Sequence, residues 1–195
     1  MTLVELVVVV VILVTLAALV VRPLVVTADQ AREDSTRVSL RAVRDAIVAY
    51  RDDVRRMPST LADLLQKPAL VDEYDERTRR GWRGPYVHVP LARYVVGPMG
   101  QPGDDDFVHS SFTIAYGTAG DPAIPDAFGR PIVLQIPDVD SSGVPPSSEE
   151  ARHARLVSAG LDGVFQASTD VFFPTLGSVR DDLVHYVDVA DLRAP

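Results

Sequence analysis

Glu5 is the only charged residue between Met1 and Val21. From Leu6 to Val21 every residue is aliphatic except Thr15. A carboxylate in such a run costs about 2.5–3.5 kcal/mol at the centre of a membrane helix, and less near its end. It therefore needs water at an interface or a cation supplied by a neighbour. A second set of carboxylates lies downstream: Asp104-Asp105-Asp106, Asp138 with Asp140, and Asp162 with Asp181-Asp182. Calcium binds six to eight oxygens, so several acids and carbonyls converging from loops are the pattern that could hold it. The histidines His88, His109, His153 and His185 are dispersed, with no H-x-x-x-H pair. Zinc spacing is absent. No cysteine is present, which removes disulfides, thiolate metal sites and a cysteine nucleophile together. No G-x-S-x-G or P-loop motif occurs, and no catalytic residue is expected.

The elements that must carry these groups follow from the pattern of apolar residues. The chain has 195 residues, 47% hydrophobic and 24% charged, which is globular usage with room for one sizeable domain. Its formal charge of −8 argues against a nucleic-acid partner. As a helix, residues 1–21 would span about 32 Å, close to the hydrocarbon thickness of a bilayer. Arg22 ends the run where a charge can reach the interface. No Lys or Arg precedes the apolar stretch and no cleavage motif follows it, so a cleaved secretory signal fits poorly. Pro23 lacks an amide hydrogen and clashes with the preceding turn, so an isolated helix would kink or break there.

Residues 28–56 predict an amphipathic helix. Val43, Ile47, Tyr50 and Val54 recur at helical spacing, and Ala31, Val38, Ala42 and Ala46 widen that stripe. Glu33 with Arg37 and Asp52 with Arg56 are acid-before-base pairs four residues apart. Met57-Pro58 closes the helix, and Thr60-Leu61-Ala62-Asp63 opens a short one. Tyr94–Val96, 107–116, Ile132–Ile136 and Arg155–Ser158 read as strands, with exposed loops at 97–106 and 138–151.

Met1-Thr2-Leu3-Val4-Glu5-Leu6, an aliphatic helix and then Pro23 resemble the mature N-terminus of type IV pilins and type II secretion pseudopilins. Phe is the usual first residue there, and Met is a tolerated variant. Three later segments are similar to elements of the major pseudopilin branch: Gly81-Trp82-Arg83-Gly84-Pro85-Tyr86-Val87 (WxGPY), Asp126-Ala127-Phe128-Gly129-Arg130-Pro131-Ile132 (D-P-W-G-x-P-Y) and Ser158-Ala159-Gly160-Leu161-Asp162-Gly163 (S-x-G-x-D-G). Ala127, Phe128 and Ile132 stand where that family has Pro, Trp and Tyr, and Met57 where it has Tyr. Residues 88–125 are poorly covered by the resemblance.

The resemblance implies an α+β fold. Residues 1–23 would be a membrane or filament-core helix and 24–56 its amphipathic continuation. Residues 57–195 would form a β-rich head with insertions near 88–125 and 138–151. The apolar half would protrude, and the amphipathic half would pack on a three- or four-stranded antiparallel sheet. The implied function is a structural subunit of a helical homopolymer that leaves the inner membrane to form a periplasmic or extracellular filament for type II-like protein secretion. A prepilin peptidase, an assembly platform and minor pilins would be its partners. Assembly would rest on Glu5, on the amine of a methylated Met1 and on the region of Pro23. Calcium would be held by Asp162, the Ala159 carbonyl, Asp181 and Asp182. The interval from Asp162 to Asp181 is longer than the family's, and Asp170 within it is a replacement ligand. The same motif also fits a surface pilin for adhesion, motility or DNA uptake, or a minor pseudopilin. Outside the family, the alternative is a periplasmic binding or enzymatic domain on a membrane tether.

Overall fold

The structure is a computed structural model that describes residues 3–88, 94–95, 121–139, 148–168, 170–175 and 181–187; the side chains of 17–26, 94–95 and 148 fall outside that description. Met1, Asp104 to Asp106, Asp140, His109 and the expected strand at 107–116 therefore lie outside the described residues.

One helix, α1, runs from Leu3 to Val54 without interruption through Pro23. Its two halves differ in surroundings. From Leu3 to Leu16 the large apolar side chains are 45% to 82% exposed. Among the described residues no helix is long and apolar enough to cross a membrane; the described apolar side chains end at Leu16, and the aliphatic sequence continues to Val21. From Thr36 onward one stripe turns inward: Thr36, Leu40, Val43, Ala46, Ile47 and Tyr50 are buried, and Val54 packs beside them. Ala31, Val38 and Ala42, which the sequence pattern adds to this stripe, are exposed. Glu33 and Arg37 pair at 3.7 Å across the exposed face.

Arg55 ends the helix in the left-handed region, at φ 64°. The backbone then turns through a 3-10 helix, Leu61–Leu64, whose start is a capping box of Thr60 and Asp63. The Asp63 carboxylate accepts the amide of Ser59 at 2.7 Å. A looped arm, residues 72–82, folds back on the helix end. Trp82 N donates to Asp72 O at 2.8 Å, Asp75 N to Arg80 O at 2.8 Å, and Gly81 N to Asp53 O at 3.0 Å.

The sheet has five strands, one or two more than expected, in the simple order β1 (Tyr94–Val95), β2 (Pro122–Pro125), β3 (Pro131–Gln135), β4 (Arg155–Ser158) and β5 (Leu183–Tyr186), all antiparallel. Residues 148–152 form a short helix, α2 (Ser148–Arg152), inside what reads as a loop in the sequence. The described part of the chain is thus α+β, with α1 packed on β4 and β5. Leu40, Val43, Ile47 and Tyr50 meet Ile132, Leu134, Leu156 and Val187 in the core. Full burial of each such side chain stabilises by about 1.5–3 kcal/mol.

Candidate functional site

The two sets of candidate residues lie apart. Glu5 sits in the first turn of α1, on the exposed apolar half. An acid at this end is favoured by the helix dipole, an ordinary structural reason for its presence. Pro23 lies within the same helix and removes one rung of its hydrogen-bond ladder. Thr15 satisfies its own hydroxyl by donating to Ile12 O at 2.9 Å, so it needs no partner on another element.

The second set is built around the β2–β3 turn and the loop after β4. Asp126 organises the turn. Its Oδ1 accepts the amides of Phe128 and Arg130, each at 2.8 Å, and its Oδ2 accepts the Ser158 hydroxyl at 2.6 Å. Gly129 supplies the positive φ the turn requires, 79°. Thr36 of α1 ties this turn to the helix, its hydroxyl accepting the Ala127 amide at 3.2 Å. Arg130 then reaches the loop, donating to Gly160 O at 2.7 Å. Gly160 has φ 55°, and a Cβ there would stand 2.2 Å from the carbonyl oxygen of Asp181. The glycine thus lets the 158–163 loop lie directly against the chain entering β5.

The resemblance assigns Asp162, Asp181, Asp182 and the Ala159 carbonyl to one metal site, and the fold does bring their segments together. Each group is, however, engaged with the backbone. Asp181 Oδ2 accepts the amide of Asp162 at 2.8 Å. Asp162 accepts Val164 N at 2.7 Å and Gln166 Nε2 at 2.5 Å. The Ala159 carbonyl accepts Gly163 N at 3.0 Å. Asp182 Oδ2 accepts the amides of Gln166 and Ala167, both at 2.7 Å. Among the described residues no group of three or more His, Asp or Glu is placed to hold a metal ion. Asp170 is exposed, in the segment clamped by Arg155. One atom stands out: Asp182 Oδ1 is buried without a hydrogen-bond partner. Burial raises the Asp182 pKa to about 6; its two amide bonds oppose the shift, and the charges of Asp181 and Asp162 add to it. A buried, unsatisfied carboxylate oxygen beside two further acids suits a hard cation or a proton, and the donor chemistry is compatible with calcium.

Two polar networks were not legible from local sequence. Arg155 is fully buried in β4. It donates to Gln135 Oε1 at 3.1 Å and to the carbonyls of Val171 and Phe172, each at 3.0 Å, with a further short bond to Ser168 O. It thereby pins residues 168–172 over the sheet. Gln135 faces it because β3 and β4 pair in that register. At the other end of the head, Trp82 Nε1 donates to Asp63 O at 3.0 Å and the Tyr86 hydroxyl to Asp53 Oδ2 at 3.1 Å. Tyr86 meets Tyr50 and Trp82 edge-on, at 5.6 and 6.1 Å. The segment similar to WxGPY is therefore an aromatic clamp on the helix end. Its glycine is required by space, since a Cβ at Gly84 would come within 2.9 Å of both rings.

Comparison with known proteins returned no match to a protein family, to a curated protein or to a solved structure.

Proposed function

We propose that this chain is a structural subunit of a pilus or pseudopilus filament, of pilin-like fold, inserted in the inner membrane before assembly and serving type II-like secretion. One observation carries the reading. A single helix bears a β-head on its C-terminal half, while its N-terminal half exposes an aliphatic surface from Leu3 to Leu16. Valines at 7–11 favour helix weakly in water. In lipid, or among other apolar helices, every backbone group must be satisfied within the segment, and the helix becomes the required form. Such a surface is stable only when covered.

Assembly exchanges lipid contacts for helix contacts. Glu5 neutralises the Met1 amine of an adjacent copy, a pair that fixes register in a low-dielectric core. Asp162, Asp181, Asp182 and the Ala159 carbonyl hold calcium, with the buried Asp182 Oδ1 as the support for that assignment. The ion would offset the charge repulsion of the loop and stabilise its fold by binding only the folded form. The partners are further copies of this chain, a prepilin peptidase, an assembly platform and minor pilins.

Electron microscopy of material sheared from cells that express the chain with a prepilin peptidase tests the reading. Filaments composed of this chain are expected. Monodisperse membrane protein under every condition would instead favour a tethered domain. Mass analysis of the N-terminus provides an independent check, a methylated Met1 being the expected product.

A further inference from the structure

The sheet ends on β5, and the outer edge of that strand carries no further strand among the described residues. A groove of about 450 Å³ lies against it. It is lined by every residue from Asp182 to Tyr186, by Arg37, Leu40 and Arg41 of α1, and by Pro174. Successive residues of a strand point to opposite faces. Leu183 packs in the core that α1 covers. On the other face Val184 packs with Phe165, and the Tyr186 hydroxyl donates to Phe172 O at 3.4 Å. A cavity lined by both sets cannot lie on one face, so it follows the open edge.

An open edge presents backbone N–H and C=O groups that a further strand can complete. The groove also selects the side chains of that strand. Arg37 and Arg41 stand exposed on the helix side. Arg37 approaches Glu33 and Asp34 no closer than 3.7 Å, and Arg41 has no hydrogen bond or ion pair among the described residues. The one acid in the lining, Asp182, is buried and holds the amides of Gln166 and Ala167. Burial, then the charges of Arg44 and Arg41, keep the His185 pKa below the usual histidine value, so that ring adds no charge at neutral pH. The accessible charge of the groove is therefore positive.

Spacing sharpens the selection. Arg41 acts on His185, and Arg44 Nε donates to Val187 O at 2.9 Å, so helix and strand run the same way. Four residues of helix rise about 6 Å, and two residues of strand about 6.6 Å. Arg37 and Arg41 thus meet every second residue of an added strand. On the opposite face Pro174, Tyr186 and Phe173 offer apolar surface to the residues between; Phe173 is 56% exposed and lies 5.9 Å from the Tyr186 ring.

We propose that the open edge of β5 binds an extended segment of another protein in which acidic and apolar residues alternate. The acids face Arg37 and Arg41, and the apolar residues cover Pro174, Phe173 and Tyr186. A second copy of this chain suits the edge poorly: pairing two β5 edges would bring the arginines of both copies together, and like charges oppose it. The inference goes beyond the filament reading and stands or falls without it.

The test uses the full chain in detergent micelles and a fluorescein-labelled peptide of seven residues in which Glu and Val alternate. Fluorescence anisotropy should show saturable binding, and the amides of 182–187 should exchange with deuterium several-fold more slowly when the peptide is present. Arg41 is exposed and makes no bond that the fold needs, so its variants fold. Arg41→Lys keeps the affinity, and Arg41→Glu lowers it several-fold. The peptide with Lys in place of Glu, or with every amide N-methylated, loses binding. Absence of saturable binding, equal affinity for wild type and Arg41→Glu, or unchanged exchange at 182–187 would each overturn the proposal. A dimer of the chain alone in which those amides are already protected would place a second copy on the edge and overturn it as well.

Discussion

The hydroxyl of Thr36, on the exposed-to-buried boundary of α1, accepts the amide of Ala127 at 3.2 Å and so fastens the helix to the β2–β3 turn. Before Thr36 no described side chain of the helix is buried; after it, a stripe is. The bond marks the point where the handle becomes part of the head.

Thr36→Val keeps the shape of the side chain but leaves the Ala127 amide without its partner. A fully buried donor left unsatisfied costs about 1–3 kcal/mol, and at this half-buried site water offsets part of that loss. Calorimetry should show a lower melting temperature. Asp126→Ala removes the acceptor of three donors and is expected to cost more than Thr36→Val; Ser158→Ala, which removes one of those donors, is expected to cost less than Asp126→Ala.

Two glycines with positive φ should respond unequally to alanine. At Gly129 a Cβ meets nothing within 4 Å, so the cost is conformational strain alone, about 1–2 kcal/mol. At Gly160 the same Cβ would stand 2.2 Å from Asp181 O, and the loop must separate from the chain entering β5. Gly160→Ala is therefore expected to be the more damaging by several degrees of melting temperature, measured side by side.

Asp182 predicts a pH dependence of stability. Its folded pKa, about 6, lies above the ordinary value of 3.8, so the folded state binds its proton more tightly than the unfolded chain does. This contribution is fully present below about pH 4 and is lost as pH rises through 6. His185 works in the opposite sense: burial, then Arg44 and Arg41, hold its pKa below the usual histidine value, so its contribution is lost as pH falls. The difference in melting temperature between wild type and Asp182→Asn, followed in chelator from pH 4 to 8, isolates the first effect. The variant is expected to gain on wild type as pH rises through 6. A difference that stays flat with pH contradicts this reading of Asp182.

Calcium is expected to raise the melting temperature of the wild-type chain and to lose that effect in Asp182→Asn. Scans with calcium and with chelator that superimpose would remove the metal from this account.

How much of this was legible in the sequence depended on the range of the interaction. Val43, Ile47, Tyr50 and Val54 announce their shared face by spacing alone, and they share it. Ala31, Val38 and Ala42 fit the same period but lie where the sheet does not extend, or beside the stripe that it covers. Periodicity says which residues align, not how far the partner surface reaches. Arg155–Ser158 reads as a strand and is one; Leu183–Tyr186 is a strand of only four residues directly after two acids, too short to carry a period of its own. Asp126 and Ser158 each look like turn residues, and their 2.6 Å bond crosses 32 positions. Gln135 and Arg155 become partners only through strand register. The carboxylates at 162, 181 and 182 were legible as a group, whereas their engagement with backbone amides depends on how the loop folds back on itself.

The most direct test of the account is a density map of the assembled polymer at a resolution that shows side chains in the helical core. The account predicts the Glu5 carboxylate beside the N-terminal amine of a neighbouring copy, within ion-pair distance. A map in which Glu5 faces solvent or lipid, with no amine near it, would contradict the account.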